Sequence, residues 1–548
     1  MPDETGPDRS TLLRSLPILI SIVIGDYVIF RLLPGVDTSA QRSLRYAPLL
    51  GISVVLFLLG LALSWRPSRK QPAPTPILFA TSTTSRTLIR LYAGVLVFGV
   101  AASLFFAYLV GKALVFRLDH ESVWKDTVTY AAGAEVPLSS TEFWAGERSF
   151  TLPLLYKLLD VDQASLSRQS RMRRISSFQF ILGVLSWSTL AVVTGRLIKS
   201  RWLNILGFGV SLALGLTLDV SLWDRILLTE SASTSLLVLL VSLALLGLKY
   251  RDTLGRHGAW WKIPYWIGIG GLCVLYSFTR DTNAYFLAAC ALAILVGMAF
   301  RRLRRHPSSA PWIFFSIFLL ALFFVQSKTA DQGRRWVLPY FNILHMRIFP
   351  DETARSFFQA AGMPADDVTF NILKLDRRPF FQSLEYNFGA QPLIDWVEAK
   401  GRGTYLRYLL SQPVATFMQP INRARNLISP LSTEYRADDY SVPIWLSLFS
   451  RVFFPLPLAI VFGWLGSVIV VTCLLGRVQS LRTEWIVPAL LLLTAFPMVF
   501  VVWYGDAIEV ERHAFQISVQ VRLALWMLTV FLADAWLVRL RSGAVEGA

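Results

Sequence analysis

Apolar runs recur along this chain and alternate with shorter polar stretches rich in arginine. A bilayer core about 30 Å thick takes about 20 apolar residues per helix. Runs of that length begin near Leu12, Tyr46, Leu88, Phe178, Trp202, Ala232, Ile263, Tyr285, Trp312, Val452, Trp485 and Val519. The pattern predicts an all-α polytopic membrane protein of about 12 transmembrane helices. Two long segments, 118–177 and 327–441, break the rhythm. The second mixes short helical patterns with Pro350, Pro364, Pro379, Pro392 and Pro413, which predicts a small helical cap. The expected organisation is an N-terminal two-helix hairpin and linker (1–87), a transmembrane core (88–326) holding the first long loop, the cap region (327–441) and C-terminal membrane helices (442–548). Asp3, Glu4 and Asp8 are unlike the basic start of a cleavable signal, so the first span is expected to stay.

Composition narrows the function classes. The chain is 54% hydrophobic and only 16% charged, against roughly a quarter charged in soluble proteins, which argues against a soluble enzyme. The net charge of +17 would raise nucleic acid as a partner of a soluble protein. Here the positive-inside rule accounts for it, and no nucleic-acid partner is expected. Arginine and lysine crowd every second connection (Arg66, Arg69, Lys70; Arg196, Lys199, Arg201; Arg301, Arg302, Arg304, Arg305), whereas the short intervening loops hold only isolated ones such as Arg225, Arg280 and Arg512. That asymmetry puts both termini in the cytoplasm and both long segments outside, and the arginine bias fits a bacterial inner membrane. Arg168, Arg171, Arg173 and Arg174 run against the rule, so they either bind phosphate or mark a slip in the topology. Cys273, Cys290 and Cys473 fall in apolar runs without CxxC spacing and read as buried hydrophobes. No GxxxxGK loop is present, so ATP-driven transport by this chain alone is not expected.

Candidate chemistry concentrates in the first outer loop. Asp126 and Tyr130 are four residues apart, on one face of a helix, where a carboxylate and a phenol would stand together above the bundle; such a carboxylate is suited to general-base work. Asp119 and Glu121 are its nearest competitors. Glu230 follows Thr229 where an outer loop re-enters the membrane, as a helix cap or as a group that orients an acceptor. Asp506, Glu509 and His513 are spaced as one helical face, which would suit either a divalent ion or an intrahelical pair. Trp144 and Tyr156 are candidates for stacking on sugar. Asp26, inside the first span, is read as a packing or snorkelling residue rather than as an intramembrane functional acid. His120, His257, His306 and His345 form no metal-binding spacing.

The string Asp126-x-x-x-Tyr130-x-x-Gly133, followed by Gly146-Glu147-Arg148 and Pro153-Leu154-Leu155-Tyr156, resembles the GT-C class of integral-membrane glycosyltransferases. So do Trp223-Asp224-Arg225 with Thr229-Glu230-Ser231, Phe278-Thr279-Arg280-Asp281, and Gly505-Asp506 through Glu511-Arg512-His513. Ser149 and Phe150 stand where the protein mannosyltransferase and aminoarabinose transferase branches carry Pro-Pro. The resemblance implies a GT-C-like fold with juxtamembrane helices on the outer face. It also implies a polyprenyl-phosphate sugar donor and a glycan, lipid or protein acceptor outside the membrane, with membrane lipid around. Asp126 is then the catalytic base, with Glu230 a second catalytic candidate. Tyr130, Glu147, Arg148, Arg280, Arg512 and His513 become the substrate-binding set, the arginines meeting the lipid phosphate. No cofactor is required, although a divalent metal is compatible. A secondary transporter or flippase of lipid-linked sugars is the competing expectation, and it would show broken helices and acids at mid-membrane.

Overall fold

The computed structural model describes residues 83–118, 121–249, 259–303, 310–374, 390–429, 442–476 and 483–546. The spans expected from Leu12 and Tyr46, with Asp26 and nearly all of the N-terminal hairpin, lie outside these residues, as do Asp119, His120, His257 and His306. Among the described residues the regular structure is helical, apart from an isolated bridge between Ser122 and Ile226. The principal helices are α1 (Thr83–Leu118), α2 (Lys125–Glu135), α3 (Thr151–Leu158), α4 (Gln169–Leu197), α5 (Arg201–Leu216), α6 (Thr229–Lys249), α7 (Ala259–Ser277), α8 (Asp281–Leu303), α9 (Ala310–Gln332), α10 (Leu458–Gly476), α11 (Ile486–Gly505) and α12 (Val510–Glu546).

Eight stretches are long and apolar enough to cross a membrane, or nine with α5 and the following Leu218–Arg225 taken as one bent span. The protein is a multi-pass membrane protein. The count among the described residues is below the expected dozen, since two expected spans lie outside them and Ile263–Ser277 is apolar but short. Phe98, Ile181, Leu292, Val296, Phe314 and Leu493 point outward from these helices. In water such a surface would be costly, whereas in lipid it needs no cover. Helices α6 and α12 are innermost: 67% of the apolar window of each is buried, against 11% for the span Ile444–Cys473.

Two buried cations sit at breaks in the membrane helices. The α5 span bends by 55° at Thr217, and a break exposes carbonyls that the helix no longer satisfies. Lys112 of α1, 1% exposed, donates to Gly215 O at 3.2 Å and to Ser221 Oγ at 3.0 Å, and pairs with Asp224 at 2.8 Å. Ser231 Oγ donates to Asp224 at 2.6 Å, which ties the bend to the start of α6. Gly215 is required here, since a Cβ would stand 2.4 Å from the Trp187 ring. Arg522 of α12, fully buried, donates to Pro455 O (2.6 Å) and Ile428 O (2.8 Å), the first at the break that precedes α10. Cys273 and Cys290 are buried as expected, and Cys473 is exposed.

The described parts of the next segment, 337–374 and 390–428, form a series of short helices with a core of Tyr340, Phe358, Leu393, Trp396 and Val397. Tyr340 Oη donates to Gly401 O at 2.6 Å and Ala507, just after α11, packs on this core.

Removing one partner of a buried ion pair leaves an uncompensated charge, at a cost of about 3–5 kcal/mol. Lys112→Met should therefore lower the thermal stability of the detergent-solubilised protein sharply, and Asp224→Asn added to it should restore most of the loss. Additive losses from the two substitutions would refute the pairing.

Candidate functional site

The site assembles where the chain leaves the membrane at one end of the bundle. Backbone bonds Ser122 N to Arg225 O and Leu227 N to Ser122 O, both 3.2 Å, fix the approach to α2 against the loop before α6. Thr127 Oγ1 donates to Leu227 O at 3.0 Å and accepts from Trp124 N at 3.0 Å, so the first turn of α2 is held at both sides. Gly133 lets α2 lie on α3, where a Cβ would stand 3.2 Å from Pro153. The loop that carries Arg148 is pinned by a backbone approach: a Cβ on Gly333 would fall 1.9 Å from Gly146 O. Arg335 Nη1 donates to the same carbonyl (3.1 Å) and pairs with Asp281 at 3.2 Å, whose Oδ1 accepts from Ser149 Oγ (3.0 Å) and Gln326 Nε2 (2.6 Å).

On this frame Asp126 is bridged by two guanidiniums. Arg148 Nη2 reaches Oδ1 at 2.6 Å and Arg512 Nη2 reaches Oδ2 at 2.7 Å. Arg148 Nε donates to Thr129 Oγ1 at 2.7 Å, and its guanidinium lies 5.1 Å over the Tyr130 ring. Arg512 also reaches Glu230 Oε1 (2.8 Å) and Glu509 Oε2 (2.7 Å). Arg280 Nη1 meets Glu230 Oε1 at 3.2 Å, while its Nη2 contacts His513 Nδ1. His513 Nε2 faces Asp506 Oδ2 at 3.3 Å, and Asn342 of the 337–428 segment donates to Asp506 Oδ1 at 2.8 Å. Six of the expected residues therefore form one connected network, with Tyr130 beneath the Arg148 guanidinium. Glu147, by contrast, is exposed and stands outside that network.

Burial works against the charge of Asp126, but the Arg148 and Arg512 guanidiniums outweigh it and hold the carboxyl at about 2. Burial pushes the Tyr130 phenol above its ordinary value and so keeps it neutral. Burial also opposes the charge on Asp506, yet His513 and the Asn342 amide hold its carboxyl below the usual value. Glu230 is 1% exposed and meets both Arg512 and Arg280, so it acts on its neighbours. A cavity of about 840 Å³ opens beside the network, lined by Arg347, Arg423, Asn426, Trp503, Glu509 and Arg512 among others.

Several expectations resolve differently. Asp506 and Glu509 precede α12, so the helical face drawn through them and His513 does not form. Among the described residues no group of three or more His, Cys, Asp or Glu stands close enough to hold a metal, and the Glu509 carboxylate is turned to Arg512. Tyr156 is fully buried with its hydroxyl on Leu227 O (3.1 Å), whereas Trp144, which packs on Phe143 and Phe150 at centroid distances of 5.2 and 4.8 Å, keeps 43% of its surface exposed. Glu121 belongs to another pair, with Arg225. Sequence reasoning missed Asn342, Arg347 and Arg423, which come from the cap segment, and Lys112, a lone cation inside an apolar run. Compared with known proteins, the chain matches no protein-family model and no curated protein.

A folded value below the ordinary 3.8 means that the Asp126 pairs contribute fully above about pH 4 and are lost as pH falls through about 2. Infrared difference spectra of wild type against Asp126→Asn should place the carboxyl transition near pH 2, and Arg148→Gln should move it upward. A transition already near 4 in the wild type would contradict the clamp.

Proposed function

We propose that the protein is a membrane glycosyltransferase that moves a sugar from a polyprenyl-phosphate donor to a hydroxyl or amine outside the cytoplasmic membrane. What carries this reading is the Asp126 carboxylate between two guanidiniums, one of which, Arg512, also lines the cavity. The acceptor oxygen or nitrogen forms a bond to the anomeric carbon as the bond to the phosphate oxygen breaks. Asp126 takes the acceptor proton, and the departing phosphate keeps the electron pair with inversion at carbon. Guanidiniums suit that leaving group, since they bind phosphate and carboxylate with the same bidentate geometry. A donor phosphate arriving beside Arg512 and Arg148 competes with Asp126 for their N–H groups and releases the carboxylate to act as base. Glu230, behind Arg512 and Arg280, fixes both and is a positioning residue.

The orientation is supported by the ends of the helices. The site gathers the ends of α9 and α11 with the starts of α6, α8 and α12, whereas Arg196, Lys199, Arg201, Lys249 and Arg302 lie at the opposite ends. Basic residues favour the cytoplasmic side, so this reading puts the site outside, where no nucleotide is needed. The bend at Thr217 and the Lys112–Asp224 pair favour the transporter reading in part. However, Lys112 stands only about 6 Å along α1 from the span's end at Phe116, which is not the mid-membrane position that a coupling site takes.

Transfer from a panel of radiolabelled polyprenyl-phosphate sugars, in membranes with matched expression, tests the reading. The wild type should transfer one donor, and Asp126→Asn should lose at least about a hundredfold, the scale of a general base. Undiminished transfer by Asp126→Asn would remove it as base, and uptake of a lipid-linked sugar without transfer would favour the transporter.

A further inference from the structure

The four arginines that violate the positive-inside rule lie at the site end of α4. Helix α4 presents one stripe outward: Arg174, Phe178, Ile181, Leu185, Val192 and Arg196, all exposed. The stripe is apolar between its two arginines, and these are 22 positions apart on the sequence, about 33 Å along a helix. That matches a hydrocarbon core of about 30 Å, so Arg174 and Arg196 fall at the two headgroup levels. Arg196 is where the charge rule expects it. Arg174 and Arg171 are not, yet the fold builds a support for them.

Asp160 supplies that support from the turn after α3. It adopts a left-handed backbone, φ 57°, which a non-glycine residue takes up at a cost. From there its carboxylate pairs with Arg171 and stands 3.8 Å from Arg174 Nη1, while Arg174 Nη1 also donates to Leu159 O at 3.1 Å. Both guanidiniums are thus engaged through Nη1, and their side chains remain 25% and 50% exposed. Arg173 and Arg168 extend the same basic surface, the former 3.7 Å from Glu121.

We propose that Arg171 and Arg174, ordered by Asp160, bind the phosphate headgroup of an anionic phospholipid whose acyl chains lie along Phe178, Ile181 and Leu185. The lipid is recognised by charge and hydrogen bonding at the top of the stripe and by apolar contact below it. This explains why positive charge is retained on a face where insertion disfavours it. The site is separate from the Asp126 network, and it rests on the orientation proposed above but not on the transfer chemistry.

Native mass spectrometry of the full chain in detergent, with phosphatidylglycerol or phosphatidylcholine added, tests the proposal. The wild type should prefer phosphatidylglycerol. An arginine near an anionic headgroup is worth about a fivefold change in affinity, so Arg174→Gln should lose about that factor and the Arg171→Gln/Arg174→Gln double variant about twenty-fivefold. Arg196→Gln should keep the site-end preference. Arg174→Gln breaks no buried contact, so its result stands even if the double variant fails to fold. The proposal is overturned by a wild type without preference, or by variants that keep it. It is equally overturned if inorganic phosphate or a polyprenyl phosphate displaces the phospholipid at equal concentration through the same arginines, which would reassign the surface to that ligand.

Discussion

A carboxylate held between two guanidiniums, Asp126 between Arg148 and Arg512, is the contact on which the arrangement of this site depends. Charge-assisted bonds of this kind, one from each guanidinium to its own carboxylate oxygen, are among the strongest polar contacts available to side chains. They are stronger still where burial lowers the local dielectric, and there an unpaired partner would be costly. The contact also joins three distant parts of the chain: the first turn of α2, the loop after it and the first turn of α12. Glu230 and Glu509 complete the coordination of Arg512, and Glu230 shares Arg280 with the His513–Asp506 pair. Each guanidinium of the cluster already faces a carboxylate, so in the proposed reading a donor phosphate has to exchange places with one.

The membrane part sets the stage for that exchange by an economical use of charge. A helix that bends or breaks in lipid leaves carbonyls that no water can satisfy. Lys112 and Arg522 each bring donors to such a break, at Gly215 and at Pro455. The first of these breaks redirects the chain toward Asp224, Ser231 and the start of α6, and so delivers Glu230 to the network. Close backbone approach at Gly146 and Gly333 does the same for Arg148. Both devices position charged groups without spending a side chain of the site itself.

Much of this was legible in the sequence, because membrane spans are written in hydropathy and site residues in short strings at their ends. Each expected run from Leu88 to Val519 has an apolar helix at its place, although the run at Ile263 is short and the run at Trp202 is bent. Asp126, Arg148, Glu230, Arg280, Arg512 and His513 were separable from the background of charge because they lie at the ends of spans or in the polar segment between two of them. Their mutual contacts were not legible, since pairs such as Asp126 and Arg512 arise only from packing of distant helices. Glu147 shows the limit of a string: it adjoins Arg148 in sequence, yet it is exposed and stands outside the network. Asn342, Arg347 and Arg423 were missed because the cap segment carries neither a hydropathy period nor a motif, and Lys112 because a lone lysine in an apolar run reads as noise until Asp224 is beside it.

If the donor phosphate and Asp126 compete for the same guanidiniums, neutralising the carboxylate should free the arginines for phosphate. The direct measurement is the affinity of the purified protein for a sugar-free polyprenyl phosphate, wild type against Asp126→Asn. The account predicts tighter binding by the variant, of the order of tenfold, the size of one charge-assisted contact released. Equal or weaker binding by Asp126→Asn would contradict it, and would mean that the phosphate and the carboxylate occupy different partners.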